Sequence, residues 1–428
     1  MSASLYTLSK VLLILLCLLQ GVDRAFAILV AVDEGFDSAR CTTFWQNARA
    51  QGFEVDLRSY SDAVEVLRRQ PSDVEHLVIF ASSSKAVPAE LSPQRLATLI
   101  GSGTSILLAV DPSAPESWRD FAREFEIDVD DKGSQAVDHF VYDRSLDDGS
   151  HTTLVVPLDN THSPFVSEST RNGPPLVYRG ALHSVGRHPL LQPVLSLPPT
   201  AYSARHGDGP ADDLRAYGAR AAVASAFQAR NNARIVLLGS LEVFTDAALD
   251  AAVTTEHSAY PKSGNEAFLN DLVAWTFGLT GRRRIASVEH GRAGSSPGSL
   301  TYRVRDRIHY VVEVDSTEPG QINDLQLEFT MLDPHTRIPL RQVNESGSGR
   351  ERFEASFVAP DRHGVFSLTV DHREPGYDKL STKSVVSVTP PRHDEYDRFI
   401  RGAVPYYAGA LSVSVGVIVF VVTWCVQS

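Results

Sequence analysis

The sequence predicts an α/β doubly wound N-terminal domain with a following α+β portion, a C-terminal β-sandwich-like domain, and one C-terminal transmembrane helix. Three patterns in the 428 residues carry this prediction. Near the start, short apolar runs alternate with helical stretches, which is typical of a parallel sheet buried on both faces. Later, apolar and polar residues alternate strictly, as in half-buried antiparallel strands. An uncharged apolar run then ends the chain.

Residues 1–27 predict a cleaved signal peptide. Lys10 precedes the apolar run Val11–Leu19, which suits a signal-peptide core but is too short to span a bilayer. Ala25-Phe26-Ala27 supplies the small-x-small pattern that signal peptidase reads, so we expect cleavage after Ala27. The alternative to a cleaved signal peptide is that this segment stays attached as an uncleaved membrane anchor. The prediction directs the following chain into the secretory pathway.

Residues 28–135 are predicted to form a Rossmann-like α/β domain. Its strands are expected at Ile28–Val32, Phe53–Leu57, His76–Phe80 and Ser105–Val110. Its helices are expected at Ala39–Gln51, Ser92–Ile100 and Trp118–Phe125. Gly101-Ser102-Gly103 precedes a strand, whereas a phosphate-binding fingerprint follows a strand and opens a helix. These three residues therefore predict a helix end and a turn.

Residues 136–285 are predicted as the α+β portion. Strand and turn residues are frequent up to Pro210, and Ala221–Gly239 predicts paired strands around the turn Asn231-Asn232. Helices are expected from Phe244 and over Asn265–Leu279.

A linker rich in Gly, Ser and Pro, Gly291–Gly298, leads to the β-sandwich-like domain, predicted at residues 299–390. One face of a predicted strand there carries Leu325, Leu327, Phe329 and Met331. Further strands are predicted at Tyr302–Val314, Phe353–Val358, Val365–Val370 and Ser384–Val388.

Residues 406–426 hold no charged side chain and match the ~20 residues that a helix needs to cross a bilayer. Aromatic residues near both ends favour the membrane interfaces. The basic residues lie before the helix, against the positive-inside preference, but a signal peptide commits the preceding chain to translocation. We therefore predict type I topology with a cytoplasmic tail of residues 427–428. Ala408, Ser412 and Gly416 recur every four residues and predict a small-residue face for packing between membrane helices.

The formal net charge is −12, which argues against nucleic acid as a partner and makes the chain as a whole a poor partner for anionic lipid. Membrane lipid is expected to contact only the terminal helix. Cys41 is the one cysteine in the predicted lumenal region, so no disulfide is expected there and hydrophobic burial must hold the domains together.

No residue forms a convincing catalytic, cofactor-binding or metal site. Asp128-Val129-Asp130-Asp131 could supply carboxylates to Mg²⁺ or Mn²⁺, but no nucleotide-binding loop accompanies it. Ser240 follows a predicted strand at a position where α/β sites form, yet the G-x-S-x-G pattern of a nucleophile elbow is absent, and a turn role is favoured. The histidines show no paired zinc-ligand spacing. Asn344-Glu345-Ser346 is a sequon, so Asn344 is a possible N-glycosylation site.

Several stretches resemble the family of the 48 kDa subunit of the eukaryotic oligosaccharyltransferase. The resemblance is carried by Gln228–Val236, Gly239–Ala247, His363–Phe366, Gly376-Tyr377, Tyr396–Ile400 and Pro405–Ala408, in that order. Ile28–Asp33, Gly52–Glu54 and Ala136–His139 also fit, so the resemblance extends over nearly the whole predicted mature chain.

The resemblance implies a non-catalytic accessory and scaffold subunit in the endoplasmic-reticulum membrane. The complex transfers a preassembled oligosaccharide from dolichyl diphosphate to Asn in Asn-x-Ser/Thr sequons. Its catalytic subunit is a different, multispanning protein with a Trp-Trp-Asp motif, and the four tryptophans here are never adjacent. Implied partners are that subunit, ribophorin-type subunits and other small membrane subunits. The alternative is an independent lumenal α/β hydrolase or glycosyltransferase that uses Ser240 or Asp128–Asp131.

Overall fold

The computed structural model of the protein describes residues 26–33, 36–69, 74–82, 87–161, 164–205, 216–255, 258–294, 298–317, 322–332, 335–343, 350–394 and 400–427. The chain divides into two compact units. The first comprises Met1–Arg284, Val314–Gln321 and His372–Leu380, and the second comprises Ile285–Glu313, Ile322–Asp371 and Ser381–Ser428.

The first unit contains short strands and seven helices among its described residues. The strands are β1 (Phe26–Val32), β2 (Phe53–Ser59), β3 (His76–Ala81), β4 (Ser105–Val110), β5 (Ile127–Val129), β6 (Ser134–Val137), β7 (Leu154–Val156), β8 (Leu176–Tyr178), β9 (His183–Val185), β10 (Leu191–Ser196), β11 (Tyr202–Arg205), β12 (Ala221–Gln228), β13 (Arg234–Leu238), β14 (Val253–Thr254) and β15 (Ala259–Tyr260). The helices are α1 (Thr42–Ala50), α2 (Tyr60–Arg69), α3 (Pro93–Ser102), α4 (Glu116–Arg123), α5 (Glu168–Arg171), α6 (Asp246–Leu249) and α7 (Asn265–Thr276).

A nine-stranded mixed sheet organises the first unit. Its order is β2-β1-β3-β4-β13-β12-β9-β5, with β10 paired to β12. Strands β2, β1, β3, β4 and β13 run parallel, whereas β12 is antiparallel to β13, β9 and β10. The sheet therefore takes strands from both sides of the domain boundary predicted at residue 135.

Helices cover both faces of this sheet. In β1, Ile28 and Val30 pack in one hydrophobic cluster with residues of α1 and α7, while Leu29 and Ala31 pack in another with residues of α2, α3 and α4. Successive side chains of a strand point to opposite faces. An apolar residue is consequently required at every position, which explains the continuous apolar runs of β1, β3 and β4.

The second unit consists mainly of strands. They are β16 (Arg283–Arg292), β17 (Thr301–Arg303), β18 (Arg307–Ser316), β19 (Gln326–Thr330), β20 (His335–Pro339), β21 (Arg341–Val343), β22 (Glu351–Val358), β23 (Gly364–His372) and β24 (Leu380–Thr389). They form two sheets, ordered β16-β18-β22-β21 and β17-β24-β23-β19-β20. Phe329 of β19 stacks on Phe366 of β23 and also lies 5.3 Å, centroid to centroid, from Phe357 of β22 in the other sheet. The two sheets therefore share an apolar core.

Helix α8 (Val404–Gln427) is the last described element. Among the described residues, Arg401–Gln427 is the one helical stretch long and apolar enough to cross a membrane. The mixed α/β N-terminal region, the later sheets and the single apolar C-terminal helix of the prediction are thus confirmed. Apart from residues 26 and 27, which open β1, the predicted signal peptide lies outside the described residues, and so does Asn344.

Two local predictions are confirmed. Strands β12 and β13 pair as the predicted antiparallel hairpin, with Asn232 in the left-handed region at φ 68°. Gly103 ends α3 at φ 109°, a conformation that glycine adopts without the steric cost of a side chain.

Two other local predictions are wrong. Tyr302–Val314, predicted as one strand, forms β17 and β18 in different sheets, because the chain turns at Arg305, with φ 67°. The helix expected from Phe244 begins only at Asp246, because Thr245 has an extended backbone and its hydroxyl caps α6 by accepting the Ala248 N–H.

Candidate functional site

Ser240 follows β13, as predicted, but is completely buried. Its hydroxyl donates to the Arg179 carbonyl and accepts the Val243 N–H at 3.4 Å, where a turn of 3₁₀ helix begins. A Cβ on the preceding Gly239 would lie 2.0 Å from the Ala181 carbonyl oxygen, so the turn is closely packed. These contacts fit a turn-stabilising hydroxyl rather than a nucleophile that a substrate can reach.

Asp128 and Asp130 have different surroundings. Asp128 pairs with Arg123 of α4 at 3.2 Å, whereas Asp130 is buried and its carbonyl accepts from Arg119 Nε at 2.7 Å. Within the described ranges, no group of three or more His, Cys, Asp or Glu side chains is arranged to hold a metal ion.

Cys41 lies at the end of a 3₁₀ turn, Ser38–Cys41, just before α1. Its burial, with a smaller effect of the nearby Asp246 carboxylate, raises the pKa of the thiol to about 12. The thiolate is the reactive form of cysteine. Cys41 is therefore a packing residue at neutral pH.

A histidine and serine pair that the sequence analysis missed joins β9 to β12. His183 Nε2 lies 2.6 Å from Ser225 Oγ, and both side chains are fully buried. Burial lowers the pKa of His183 to about 3, so the imidazole is neutral. The pair bridges two strands, and its burial keeps the Ser225 hydroxyl away from solvent. Its sequence signal is weak: a lone Ser within an apolar strand and a His in a strand of three residues.

A buried polar network of the first unit centres on Arg234, the first residue of β13. Its guanidinium donates to the carbonyl oxygens of Trp275, Thr280 and Gly281 at 2.5–2.9 Å, and to the Asp378 carboxylate at 2.8 Å. It also lies 4.9 Å from the centre of the Trp275 ring. A charged side chain that is 2% exposed is tolerated because its donors are satisfied by hydrogen bonds.

Segment 372–380 is held by this network. Trp275 Nε1 donates to the Gly376 carbonyl at 2.7 Å, Gln228 Nε2 donates to Asp378 at 3.2 Å, and the Lys379 N–H donates to Asn232 Oδ1 at 3.0 Å. We call Gln228, Asn232, Arg234 and Trp275, together with Gly376, Asp378 and Lys379, the Arg234 clamp. Two stretches that carry the family resemblance, Gln228–Val236 and Gly376-Tyr377, thus meet in space.

Close backbone packing requires glycine in the clamp. Gly376 has φ 83°, and a Cβ there would lie 2.6 Å from Pro164 Cδ. A Cβ on Gly281, with φ 68°, would lie 2.6 Å from the Gly376 carbonyl oxygen. Next to them, the Arg283 guanidinium stacks 3.4 Å above the Tyr377 ring and pairs with Glu374.

Two clefts adjoin the clamp. One, of about 150 Å³, is mostly apolar and is lined by Phe165, Leu190, Ala226, Trp275 and Tyr377, with Arg373 and Lys379 among its polar residues. The other, of about 620 Å³, is polar and is lined by His76, Ser105 and Arg234, the first residues of β3, β4 and β13, with Arg282, Arg284 and Asp315. Burial, with a smaller effect of Arg282, lowers the pKa of His76 to about 4. Both clefts adjoin the amino-terminal edge of the parallel strands, opposite to the edge where α/β enzymes usually bind ligands.

The clamp fixes segment 372–380 to the rest of the first unit through guanidinium, indole, amide and carboxylate groups. It is a structural junction within the first unit, flanked by two clefts.

Family models match almost the whole chain. Residues 23–279 match the OST48 N-terminal domain, and residues 289–428 match the OST48 middle domain. Among solved structures, a Niemann-Pick type C2 protein from Japanese carpenter ant aligns with 25% of this chain and 92% of its own at 10% identity and a TM-score of 0.19, which supports no inference about the fold.

Curated relatives match over similar lengths. Proteins named dolichyl-diphosphooligosaccharide–protein glycosyltransferase 48 kDa subunit are 32% identical in Arabidopsis thaliana, over 98% of both chains, and 32% identical in Drosophila melanogaster, over 88% of this chain and 86% of the relative. The relative of that name in Caenorhabditis elegans is 30% identical over 90% of this chain and 87% of its own. The chain belongs to the OST48 family.

Proposed function

We propose that this protein is a non-catalytic, structural subunit of a dolichyl-diphosphooligosaccharide–protein glycosyltransferase, the complex that N-glycosylates proteins in the endoplasmic reticulum. The observation that carries the proposal is the match to relatives named as the 48 kDa subunit of that enzyme, over 98% of the chain in the plant protein. A match of that extent includes both units and the apolar helix.

The non-catalytic role is supported by the state of the candidate reactive groups. Ser240 and the His183–Ser225 pair are buried, the Cys41 thiol has a pKa of about 12, and Asp128 is paired with Arg123. A catalyst of glycosyl transfer needs accessible acid, base or metal groups at the reacting atoms. The chemistry then belongs to a separate multispanning subunit, with ribophorin-type and smaller subunits as further partners.

The proposed topology is type I, with cleavage after Ala27, both units in the lumen, α8 in the membrane and residues 427–428 in the cytoplasm. Residues 28–135, 136–285 and 299–390 remain the proposed sequence domains. The face of α8 formed by Ala408, Ser412 and Gly416 is proposed to pack against helices of the other subunits, and Asn344 to be a glycosylation acceptor.

The deciding experiment combines depletion with rescue. Depletion of the protein is expected to lower occupancy of Asn-x-Ser/Thr sites in many secreted glycoproteins, measured by mass spectrometry, and the intact chain is expected to restore it. In mild detergent it is expected to co-purify with a multispanning partner. Unchanged occupancy after complete depletion, or purification as a monomer with its own transferase activity, excludes the proposal.

A further inference from the structure

Three exposed apolar side chains border the same part of the core of the second unit. They are Leu332, 107% exposed, Val358, 55% exposed, and Val365, 63% exposed. Each lies within three positions of a phenylalanine of the core, and the ring of Phe329 lies 5.3 Å from that of Phe357 and 4.6 Å from that of Phe366, centroid to centroid. We call Leu332, Val358 and Val365 the apolar rim.

The apolar rim lies at the end of the sheets where β24 finishes. The carbonyl of Thr389, the last residue of β24, accepts the Val304 N–H at 3.0 Å, and the carbonyl of Asp306, two residues further on, accepts the Ala359 N–H at 2.8 Å. This turn between β17 and β18 therefore links the end of β24 to the end of β22, where Val358 lies.

The start of β23 lies at the same end. The loop between β22 and β23 is held to the same turn by an ion pair of Asp361 with Arg305. A Cβ on Gly364, the first residue of β23, would lie 2.6 Å from Met331 Sδ, so β23 begins beside the residue that precedes Leu332. All three residues of the rim are therefore found where the chain leaves the sheets towards α8.

The connection to α8 keeps this end of the second unit near a bilayer. Val404, the first residue of α8, follows Thr389 by 15 positions. A fully extended chain covers at most ~3.5 Å per residue, so the end of β24 stays within about 50 Å of the start of the membrane helix. Exposed apolar patches mark contacts with proteins or with membranes, and the position of this one in the chain favours the membrane.

We propose that the apolar rim inserts into the surface of the bilayer that α8 spans, at the boundary between headgroups and acyl chains. Apolar side chains at this boundary are buried ~5–10 Å deep while polar neighbours stay among the headgroups. Arg362 and His363, both exposed, lie between Val358 and Val365, and side chains of these types extend their polar ends towards water.

Contact of this kind extends lipid binding beyond α8 and needs no anionic lipid, which suits a chain of net charge −12. The inference depends on α8 being a membrane helix. It holds or fails independently of assembly with a glycosyltransferase.

The test places a fluorescent probe on the rim of the full-length chain in phosphatidylcholine nanodiscs. Val365→Cys is labelled with the environment-sensitive fluorophore NBD in a chain that also carries Cys17→Ser and Cys425→Ser, and the buried Cys41 stays unlabelled. The emission is expected to shift to shorter wavelength than in water. Phosphatidylcholine with a doxyl quencher high on its acyl chain is expected to reduce the emission intensity.

The matched control is Val385→Cys, which labels the same residue type at 56% exposure on β24, about 13 Å before the end of that strand. Its probe should emit as in water and should be quenched less by the doxyl lipid. Equal quenching at positions 365 and 385 overturns the proposal. A shift to shorter wavelength at position 365 without quenching means that protein covers the rim, and it also overturns the lipid assignment.

A second set of variants tests the rim as a unit. With the probe on Leu332→Cys, Val358→Asp together with Val365→Asp should abolish quenching by the doxyl lipid, because both charges oppose insertion, whereas Val385→Asp should leave it unchanged. Unchanged quenching in the double variant overturns the proposal. If Val365→Cys does not fold, Val358→Cys provides the same measurement with the same expected result.

Discussion

Arg234 and Asp378, separated by 144 positions in the chain, form an ion pair of 2.8 Å in which the arginine side chain is 2% exposed and the aspartate 15% exposed. Removing one partner of a buried pair leaves the other charge without compensation. The pair therefore makes the packing of segment 372–380 and the stability of the first unit depend on each other.

The first prediction concerns this pair. Arg234→Met should lower the free energy of unfolding of the first unit by about 3–5 kcal/mol, the cost of breaking a buried ion pair. Urea unfolding of the full-length chain in detergent, followed by tryptophan fluorescence, measures it, because Trp45, Trp118 and Trp275 are all buried in this unit.

The control for that variant is Arg58→Met, which removes an exposed arginine paired with Asp56 at the same 2.8 Å. Exposed pairs contribute about 0–1 kcal/mol, so this change should be nearly neutral. Equal effects of the two substitutions would show that burial of Arg234 has no energetic importance.

The second prediction separates backbone strain from close packing at Gly376. Gly133→Ala places a side chain at φ 86° in open space, whereas Gly376→Ala does so at φ 83° against Pro164. A left-handed backbone conformation costs a non-glycine residue about 1–2 kcal/mol. Gly133→Ala should therefore lower the free energy of unfolding by that amount, and Gly376→Ala should lower it by clearly more. The same urea titration compares them, and equal losses would argue against close packing at Gly376.

The parts of this fold that the sequence predicts are those that depend on local pattern, whereas the parts that depend on contacts between residues far apart in the chain are not predicted. Strands β1, β3 and β4 were predictable because burial on both faces imposes an apolar residue at each position. The addition of β9 to the same sheet was not, because a strand of three residues has no measurable periodicity.

The clamp was also beyond prediction. Arg234 opens a strand, where an arginine normally reaches solvent, and its burial depends on a carboxylate 144 positions away. The same holds for His183 and Ser225, whose pairing is a tertiary contact between two strands. In contrast, the prediction that Ser240 and Asp128–Asp131 are not catalytic was made from local sequence alone, because the G-x-S-x-G pattern and a nucleotide-binding loop are both missing from their surroundings.

The third prediction concerns pH. His183 has a pKa of about 3 in the folded chain, against 6.5 when solvated, so below pH 6.5 the unfolded chain takes up a proton that the folded chain refuses. Stability should fall as the pH falls from 6.5 towards 3, by up to about 1.4 kcal/mol per pH unit from this group. His76, with a pKa of about 4, acts in the same direction.

Urea unfolding at pH 7.5, 6.0 and 5.0 tests this. His183→Gln should reduce the slope of stability against pH, because it removes the group that stays neutral in the folded chain. A wild-type slope in His183→Gln would mean that His183 is protonated in the folded chain.

The fourth prediction concerns chemistry. Ser240→Ala and Asp130→Asn should leave sequon occupancy nearly intact in depleted cells, provided that the variants fold, because neither side chain is accessible to a substrate. Occupancy of a reporter glycoprotein measures the outcome. A loss of several orders of magnitude in turnover by a correctly assembled complex would indicate a catalytic group and contradict the proposed function.

The last prediction concerns the small-residue face of α8. Ala408, Ser412 and Gly416 stack at helical spacing, and Ser412 Oγ donates to the Gly409 carbonyl at 2.8 Å, so its hydroxyl is satisfied within the helix. In lipid, helices associate largely through close backbone approach at small residues. Ser412→Leu with Gly416→Leu should therefore keep membrane insertion, which leucine favours, but weaken co-purification with the other subunits in mild detergent.

The matched control for this pair is Val413→Leu with Val417→Leu, which adds bulk one residue further along and so on a different face of the same helix. Because about 100° separates neighbouring residues around a helix, this change should leave co-purification at the wild-type level. Alkali extraction verifies that both variants are inserted. If the Ser412 and Gly416 double variant inserts and still co-purifies fully, the small-residue face does not carry assembly, and the contacts that hold the complex together must lie in the two folded units.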